Sequence, residues 1–441
     1  MMSTVFSGDE AKSLVKLAAP IITAMTLSCL MSVIDTVMAG QVSAKDLAAV
    51  SIGSAVWNML FLTMNGILMA LTPQISKLNG QNNRSAIYGW YIKGSWFALV
   101  VMVCFLGAGQ FGLNAINGLD TTLETRNLAQ QYLTFILFGL PAAALFQAQR
   151  SLSEGNAKTQ HALIVTIIGV LMNIPLNYLF IYGLTINDGQ TVIEIIPELG
   201  GAGCGLASAI IFWLMLISMK LIQKSDPKIQ QQMATKTPIA TLKVFKHLSI
   251  VGIPIGLAIF AEVSVFTYIP LMIAHLGEDK VAAHQIALNV SSVMFMVPLG
   301  LSQAITVRTG YQLGRNKTEL AQLSSRTGIV VAFIFGICSL SFILLNRDSI
   351  PALYTSETSV LEVASTLLVL AALFQLTDTL QITTAGALRG YQLTAVPMCI
   401  TIISFWAISM PAGYLLGLES PLRTQLAAII SLPTPLGVAG F

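Results

Sequence analysis

Hydrophobic and polar residues in this chain fall into long blocks rather than short alternations. Apolar runs recur at roughly residues 17–39, 47–72, 94–113, 128–148, 160–183, 202–222, 249–274, 281–306, 327–346, 360–386 and 393–417, divided by shorter polar stretches. A helix needs ~20 such residues to cross the hydrocarbon layer of a bilayer, so the pattern predicts eleven membrane-spanning helices. The first run follows Lys12 and Lys16 as a signal peptide would, but a secretory apolar region is only ~7–15 residues long. Residues 17–39 therefore read as a retained first helix. The polar interruptions set the orientation. Alternate loops on one side collect eighteen of the 23 Lys and Arg residues, leaving Lys45, Arg126, Lys280, Arg347 and Arg423 on the other. Basic loops stay in the cytoplasm, which puts the N-terminus inside.

Composition agrees with that pattern, with 55% of residues hydrophobic and 10% charged, against ~25% charged in soluble domains. The net charge of +3 is not gathered on one basic face with interleaved aromatics, which excludes nucleic acid as a partner. Cys29, Cys104, Cys204, Cys338 and Cys399 all lie in apolar runs with no C-x-x-C pair, and read as buried fillers. His161, His247, His275 and His284 form no metal-ligand spacing, and no nucleotide-binding or hydrolase motif is present.

The chain repeats itself. A shift of 234 residues places Pro20 on Pro254, Ala48-Ala49 on Ala282-Ala283, Ile52 on Ile286, Gly80 on Gly314 and Asn82 on Asn316. At shifts of 235 to 237, Gly155 meets Gly390, Pro175 and Tyr178 meet Pro411 and Tyr414, and "LGGAG" at 199–203 meets "LGVAG" at 436–440. The fold class that follows is an all-α polytopic membrane protein of two pseudo-symmetric six-helix bundles. Residues 1–222 form the N-lobe, 223–246 a basic, Gln-rich cytoplasmic linker, and 247–441 the C-lobe. "LGGAGCG" leads into a sixth span, whereas "LGVAGF" ends the sequence, so the twelfth helix is expected to be missing through truncation.

Three carboxylates lie inside the spans, Asp35, Glu262 and Asp378; the other acids are assigned to loops or the N-terminal tail. A charged carboxylate at bilayer depth costs at least ~2.5 kcal/mol, which marks each as a functional candidate facing an interior cavity. Ser28, Ser32 and Asp35 share one face of the first helix, and Asn173 and Asn177 stand one turn apart around Pro175. On the eighth span Gln285, Asn289 and Ser292 line up, and on the tenth Phe374, Asp378 and Gln381, with Gln375 nearby. Amides alone would be read as interhelical hydrogen bonds. Together with buried carboxylates they offer hard oxygens suited to Na⁺, or to a proton. Without a nucleotide site, active transport would draw on an ion gradient.

The segment "LAAPIITAMTLSCLMSVIDTVMAGQVSAKDLAAVSI" resembles the first-helix signature of the multidrug and toxic compound extrusion (MATE) transporters, in the NorM-type bacterial branch. "MNIPLNYLFIYG", "LGGAGCGLASAI", "FAEVSVF", "VAAHQIALNVSS" and "GALRGYQLTA" fit the same branch in order, over essentially the whole chain. The resemblance implies two six-helix bundles and antiport, with Na⁺ or H⁺ entering the cell as organic cations and amphipathic drugs leave, in a monomer of the bacterial inner membrane with no cofactor. It implies that Asp35, Asn173 and Asn177 form the N-lobe cation or proton cluster. It assigns Glu262, Asp378 and Asn289 to a C-lobe site able to hold Na⁺, with Gln285 and Gln381 near drug or cation. Phe374 departs from the family, where Tyr is frequent, and keeps a π face without a hydroxyl. Pro20, like Pro175, is expected to mark a helix bend. The alternatives are a lipid-linked sugar flippase of the same broader fold, which would need a cationic cavity, a truncated fragment that does not transport, and an intramembrane aspartyl protease, whose G-x-G-D pattern is absent.

Overall fold

The computed structural model describes residues 6–119, 121–187, 192–234, 241–273, 276–417 and 437–440. The first helices are α1 (Gly8–Val42), α2 (Ala44–Leu68), α3 (Leu71–Gly80), α4 (Arg84–Asn117), α5 (Leu123–Leu137), α6 (Leu140–Gly155) and α7 (Gln160–Tyr182). An antiparallel hairpin follows, β1 (Leu184–Asn187) and β2 (Val192–Ile196), with Leu184 opposite Ile196 and Asn187 opposite Val192. Next come α8 (Gly203–Ser225), α9 (Pro227–Ala234), α10 (Thr241–Ile273), α11 (Glu278–Gly314) and α12 (Thr318–Leu345). The last are α13 (Ser349–Ala352), α14 (Thr358–Gly390), α15 (Ala395–Ile402) and α16 (Met410–Gly417), the latter two joined by a wider π-helical stretch over Ile403–Ser409.

Among the described residues ten helical segments are long and apolar enough to cross a membrane, and the bent pair α5 and α6 makes an eleventh. Each coincides with one predicted run. The pair bends by 43° where Gly139 precedes a helix carrying Pro141 in its first turn, whose ring nitrogen cannot continue the hydrogen-bond ladder. α1 and α7 run unbroken through Pro20 and Pro175.

Large apolar side chains face outward, Phe111 at 77% exposure and Leu345 at 84% among them. Such faces would be a liability in water but match hydrocarbon. The same reason corrects the reading of the cysteines. Cys204 is buried and Cys29 half-buried, but Cys104, Cys338 and Cys399 are exposed, because an apolar position in a membrane helix can face lipid as readily as protein. The all-α expectation also omits the hairpin, and the described residues of the linker are largely helical. α8 continues to Ser225, α9 fills Pro227–Ala234, and α10 begins at Thr241.

The chain divides into two compact units, one comprising Lys16–Gly256 with Gly310–Thr318, the other Met1–Val15, Leu257–Thr309 and Glu319–Phe441. In the first unit, α9 is held by a reciprocal amide pair. Gln232 Nε2 donates to Asn156 Oδ1 (2.7 Å), and Asn156 Nδ2 to Gln232 Oε1 (3.1 Å). Asp226 caps the same helix through the N–H groups of Lys228 and Ile229 and pairs with Lys158 at 2.8 Å. Burial of Asp226 opposes its charge, but the Lys158 ammonium and these N–H donors outweigh it and hold the carboxyl below the usual range.

In the second unit the opening turn of α1 is held by Arg308, whose guanidinium forks onto Glu10 at 2.6 and 2.8 Å, with Ser324 also donating to Glu10. This bidentate pair explains why the first residues group with the second half of the chain.

The repeat is visible in the backbone. Asn82 and Asn316 both adopt left-handed φ (55° and 58°) just after α3 and α11, as do Ala157 (62°) and Gln392 (63°) after α6 and α14. Within the first unit, α3 and the end of α11 cross so closely that a Cβ on Gly80 would lie 2.1 Å from Tyr311 O, and one on Gly314 2.0 Å from Lys77 O. Ser76 and Gly80 face Gly310 and Gly314, a pair of small-x-x-x-small strips that lets the backbones touch.

Candidate functional site

In the first unit α1, α7 and α8 meet at Asp35, which is 7% exposed. Asn173 Nδ2 and Asn177 Nδ2 donate to its Oδ1 at 2.9 and 2.6 Å, and Ser208 Oγ donates to Oδ2 at 3.0 Å. Cys204 Sγ lies 3.5 Å from the Asp35 carbonyl oxygen. The two asparagines, fully buried, reach one acceptor because they stand a turn apart on α7. Pro175 between them has no N–H, so the Leu171 carbonyl one turn back lacks its ladder donor. Hydrogen bonds to a charged acceptor contribute ~1.5–3 kcal/mol each. Three together are enough to offset the ~2.5–3.5 kcal/mol that insertion scales assign to a mid-bilayer carboxylate. The asparagine Oδ1 atoms of residues 173 and 177, also buried, have no hydrogen-bond partner.

The placement of Ser208 follows from how α8 is seated. A Cβ on Gly205 would come 2.5 Å from Tyr132 O, so α8 lies directly on the backbone of α5. Its entry is fixed by Asp46 at the start of α2, whose Oδ1 accepts the Gly201 N–H at 2.6 Å and whose Oδ2 accepts from Ser43 Oγ. Gly200 has φ +57°, and a side chain there would strike Asp46 Oδ1. The "LGGAG" motif is thus the fold's means of docking α8.

Two residues important to this site escaped the sequence reading. Asp46, assigned to a loop, is 7% exposed in the first turn of α2. Ser208 was hidden as one small residue in an apolar run; its only signal was lying in the sixth span beside the Gly-rich entry motif. Glu154, likewise assigned to a loop, is fully buried on α6 and paired with Arg150 at 2.6 Å. Ser28 and Ser32 do not reach Asp35. Ser28 Oγ donates to its own helix at Ala24 O (2.9 Å), a bond open to any helical serine, and Ser32 is exposed.

In the second unit the carboxylates of Glu262 on α10 and Asp378 on α14 lie within coulombic reach of each other. Asp378 is 6% exposed and Gln375, one turn before it, 1%. On the same helix as Glu262, Ala261 O (3.1 Å) and Ser264 Oγ (3.2 Å) share the indole N–H of Trp406. Phe374 meets Phe266 in a T-shaped pair with centroids 6.1 Å apart. Gln285 Nε2 donates to Asn289 Oδ1 at 3.4 Å, both residues exposed, and Gln381 is exposed as well. Among the described residues no hydrogen bond joins Asn289, Gln285 or Gln381 to either carboxylate. The structure therefore assembles the Asp35 cluster completely and sets Glu262 and Asp378 within coulombic reach of each other.

The MatE family profile matches residues 20–179 and again 254–415, two copies whose starts are separated by the repeat offset. The chain is 38% identical over 414 residues to "Multidrug resistance protein MdtK" of Photorhabdus laumondii, covering 93% of this chain and 88% of that one. It is 40% identical over 418 residues to "Probable multidrug resistance protein NorM" of Shewanella oneidensis, with the same two shares. Among solved structures, the eukaryotic MATE transporter AtDTX14 superposes with TM-score 0.83 at 17% identity, over 92% of this chain and 89% of that one. A MATE in the straight conformation gives 0.81 at 18% identity, over 100% and 93%. At such identities the structural likeness speaks to the fold.

Proposed function

Because the chain belongs to the MATE family, we propose that it is a multidrug exporter of the bacterial inner membrane, in which Na⁺ or H⁺ flows in as organic cations and amphipathic drugs flow out. The observation that carries this reading is the buried Asp35 carboxylate, held by Asn173, Asn177 and Ser208 beside two unpartnered amide oxygens. A proton on Asp35 would turn one acceptor oxygen into a donor and release at least one of the three bonds. Na⁺ would instead occupy the carboxylate lone pairs, and the Oδ1 atoms of Asn173 and Asn177 supply the further hard oxygens it requires. Either ion changes which contacts α1, α7 and α8 can make. A ligand drives alternating access only through such a difference between states.

Glu262 and Asp378 extend the reading to the second half. Two neighbouring carboxylates in a poorly solvated site repel one another, and a single shared cation, whether Na⁺ or the charged group of a drug, removes that repulsion. Phe374 offers a π face to such a cation, and Asn289, Gln285 and Gln381 offer polar contacts. An N-terminus in the cytoplasm suits the distribution of Lys and Arg, and a monomer is the working unit of this reading.

The test is efflux of ethidium from vesicles in which Na⁺ and pH gradients are imposed independently, comparing the parent with Asp35→Asn, Glu262→Gln and Asp378→Asn. Each variant should reach the membrane at normal levels and lose gradient-driven efflux. Undiminished uphill efflux from all three would sink the assignment.

A further inference from the structure

A half-open groove of about 410 Å³ runs between α4, α6 and α8 of the first unit, on helices that do not contribute the three second-half site carboxyl and amide groups. Its walls are two tryptophans, Trp96 at 58% exposure and Trp213 at 43%, continued by Leu99 and Ile217. Trp213 is fixed in place by its indole N–H, which donates to Phe138 O at 3.1 Å. Lys220 closes one end, and among the described lining residues it is the one charge, with no acid to balance it. The floor is Gln149, 4% exposed, whose Oε1 has no hydrogen-bond partner.

Position and chemistry narrow the occupant. The groove lies within one or two turns of the basic end of its helices, Lys93 following Tyr91 on α4 and Lys224 following Lys220 on α8. Tryptophan and lysine placed together at that depth are the usual anchors at a membrane–water boundary, the indoles against acyl chain and the ammonium against headgroups. The walls are apolar and exposed on membrane-spanning helices, a surface that suits an acyl chain. An unbalanced cation attracts a net negative headgroup and gives a cationic drug nothing.

We propose that this groove is a binding site for an anionic phospholipid, phosphatidylglycerol, with one acyl chain laid between Trp96 and Trp213 and its phosphate on Lys220. A single Lys near the surface gives about a fivefold preference for the anionic lipid over a neutral one.

Bromine on an acyl chain quenches tryptophan only at close range, and the Trp96→Phe/Trp213→Phe variant separates quenching in the groove from that of Trp406, 43% exposed on another span. The full chain would be reconstituted in phosphatidylcholine vesicles containing increasing fractions of brominated phosphatidylglycerol, or of brominated phosphatidylcholine. The expected result is half-maximal quenching at about a fivefold lower fraction of the anionic lipid, an excess that disappears in Lys220→Gln and in Trp96→Phe/Trp213→Phe. Brominated phosphatidylcholine should quench the parent and Lys220→Gln alike, showing that the variant is folded and inserted. Equal quenching of the parent by the two lipids, the behaviour of ordinary surrounding lipid, would overturn the proposal, as would an excess that survives Lys220→Gln.

Discussion

The crossing of α3 with the end of α11 makes a sharp prediction about a single methyl group. In Gly314→Ala the new Cβ would lie 2.0 Å from Lys77 O, about 1.4 Å inside the distance at which ordinary contact begins. The obstructing atom is backbone, so no side chain can swing aside and the helices must separate. Overpacking of a tight contact costs typically ~1–3 kcal/mol, and the parted backbones also lose their weak Cα–H···O contacts. Against this, alanine is the better helix former by only ~0.5–1 kcal/mol. The loss wins, and Gly314→Ala should be destabilised by roughly 1–2 kcal/mol or more. Gly107 provides the control, because a Cβ there would meet nothing within 4 Å and only the helix term remains, so Gly107→Ala should gain about 0.5–1 kcal/mol. Both variants would be unfolded with denaturant in mixed micelles and their midpoints compared with the parent. If Gly314→Ala proves as stable as Gly107→Ala, the close crossing is wrong. Gly80→Ala, its repeat counterpart, should behave like Gly314→Ala.

Ser208→Ala removes one of three donors to Asp35. At ~1.5–3 kcal/mol for a bond to a charged acceptor, coupled efflux should fall about ten- to hundredfold, Ser208→Thr should restore it, and the change should add nothing in an Asp35→Asn background. An additive loss would detach Ser208 from the carboxylate. At the other end of the first unit, Asp226 has a folded pKa below its unfolded one, so its contribution to holding α9 is complete above the ordinary carboxylate range and disappears as pH falls through the lowered value. Protection from hydrogen exchange across Pro227–Ala234, taken relative to the intrinsic rate at each pH, should be high at neutral pH and fall below about pH 4, and Asp226→Asn should be weakly protected at both. High protection in Asp226→Asn at neutral pH would remove the carboxylate from this role. Gly201→Val should push the entry of α8 off Asp46, because a Cβ at that position already lies 2.9 Å from Asp46 Cβ. Efflux and membrane yield should drop together, and an unchanged variant would show that this docking is dispensable.

The sequence alone determined the membrane class, the positions of the spans and the repeat, because each is written in local composition. An apolar run of bilayer length has few alternatives to a helix, since every backbone polar group must find its partner within the segment. It also singled out Asp35, Asn173 and Asn177, because a charge or a paired amide in hydrocarbon is expensive wherever it points. Tertiary packing decided what those residues touch. Ser208 lies 173 positions from Asp35, and no periodicity could tell it from the other small residues of its helix. Only the seating of Gly205 on Tyr132 and of Gly201 on Asp46 brings its hydroxyl to the carboxylate. The same limit explains the exposed cysteines and the buried Asp46 and Glu154. Spacing along a helix fixes which residues share a face, and the neighbours packed on that face fix whether it meets lipid, water or another chain segment.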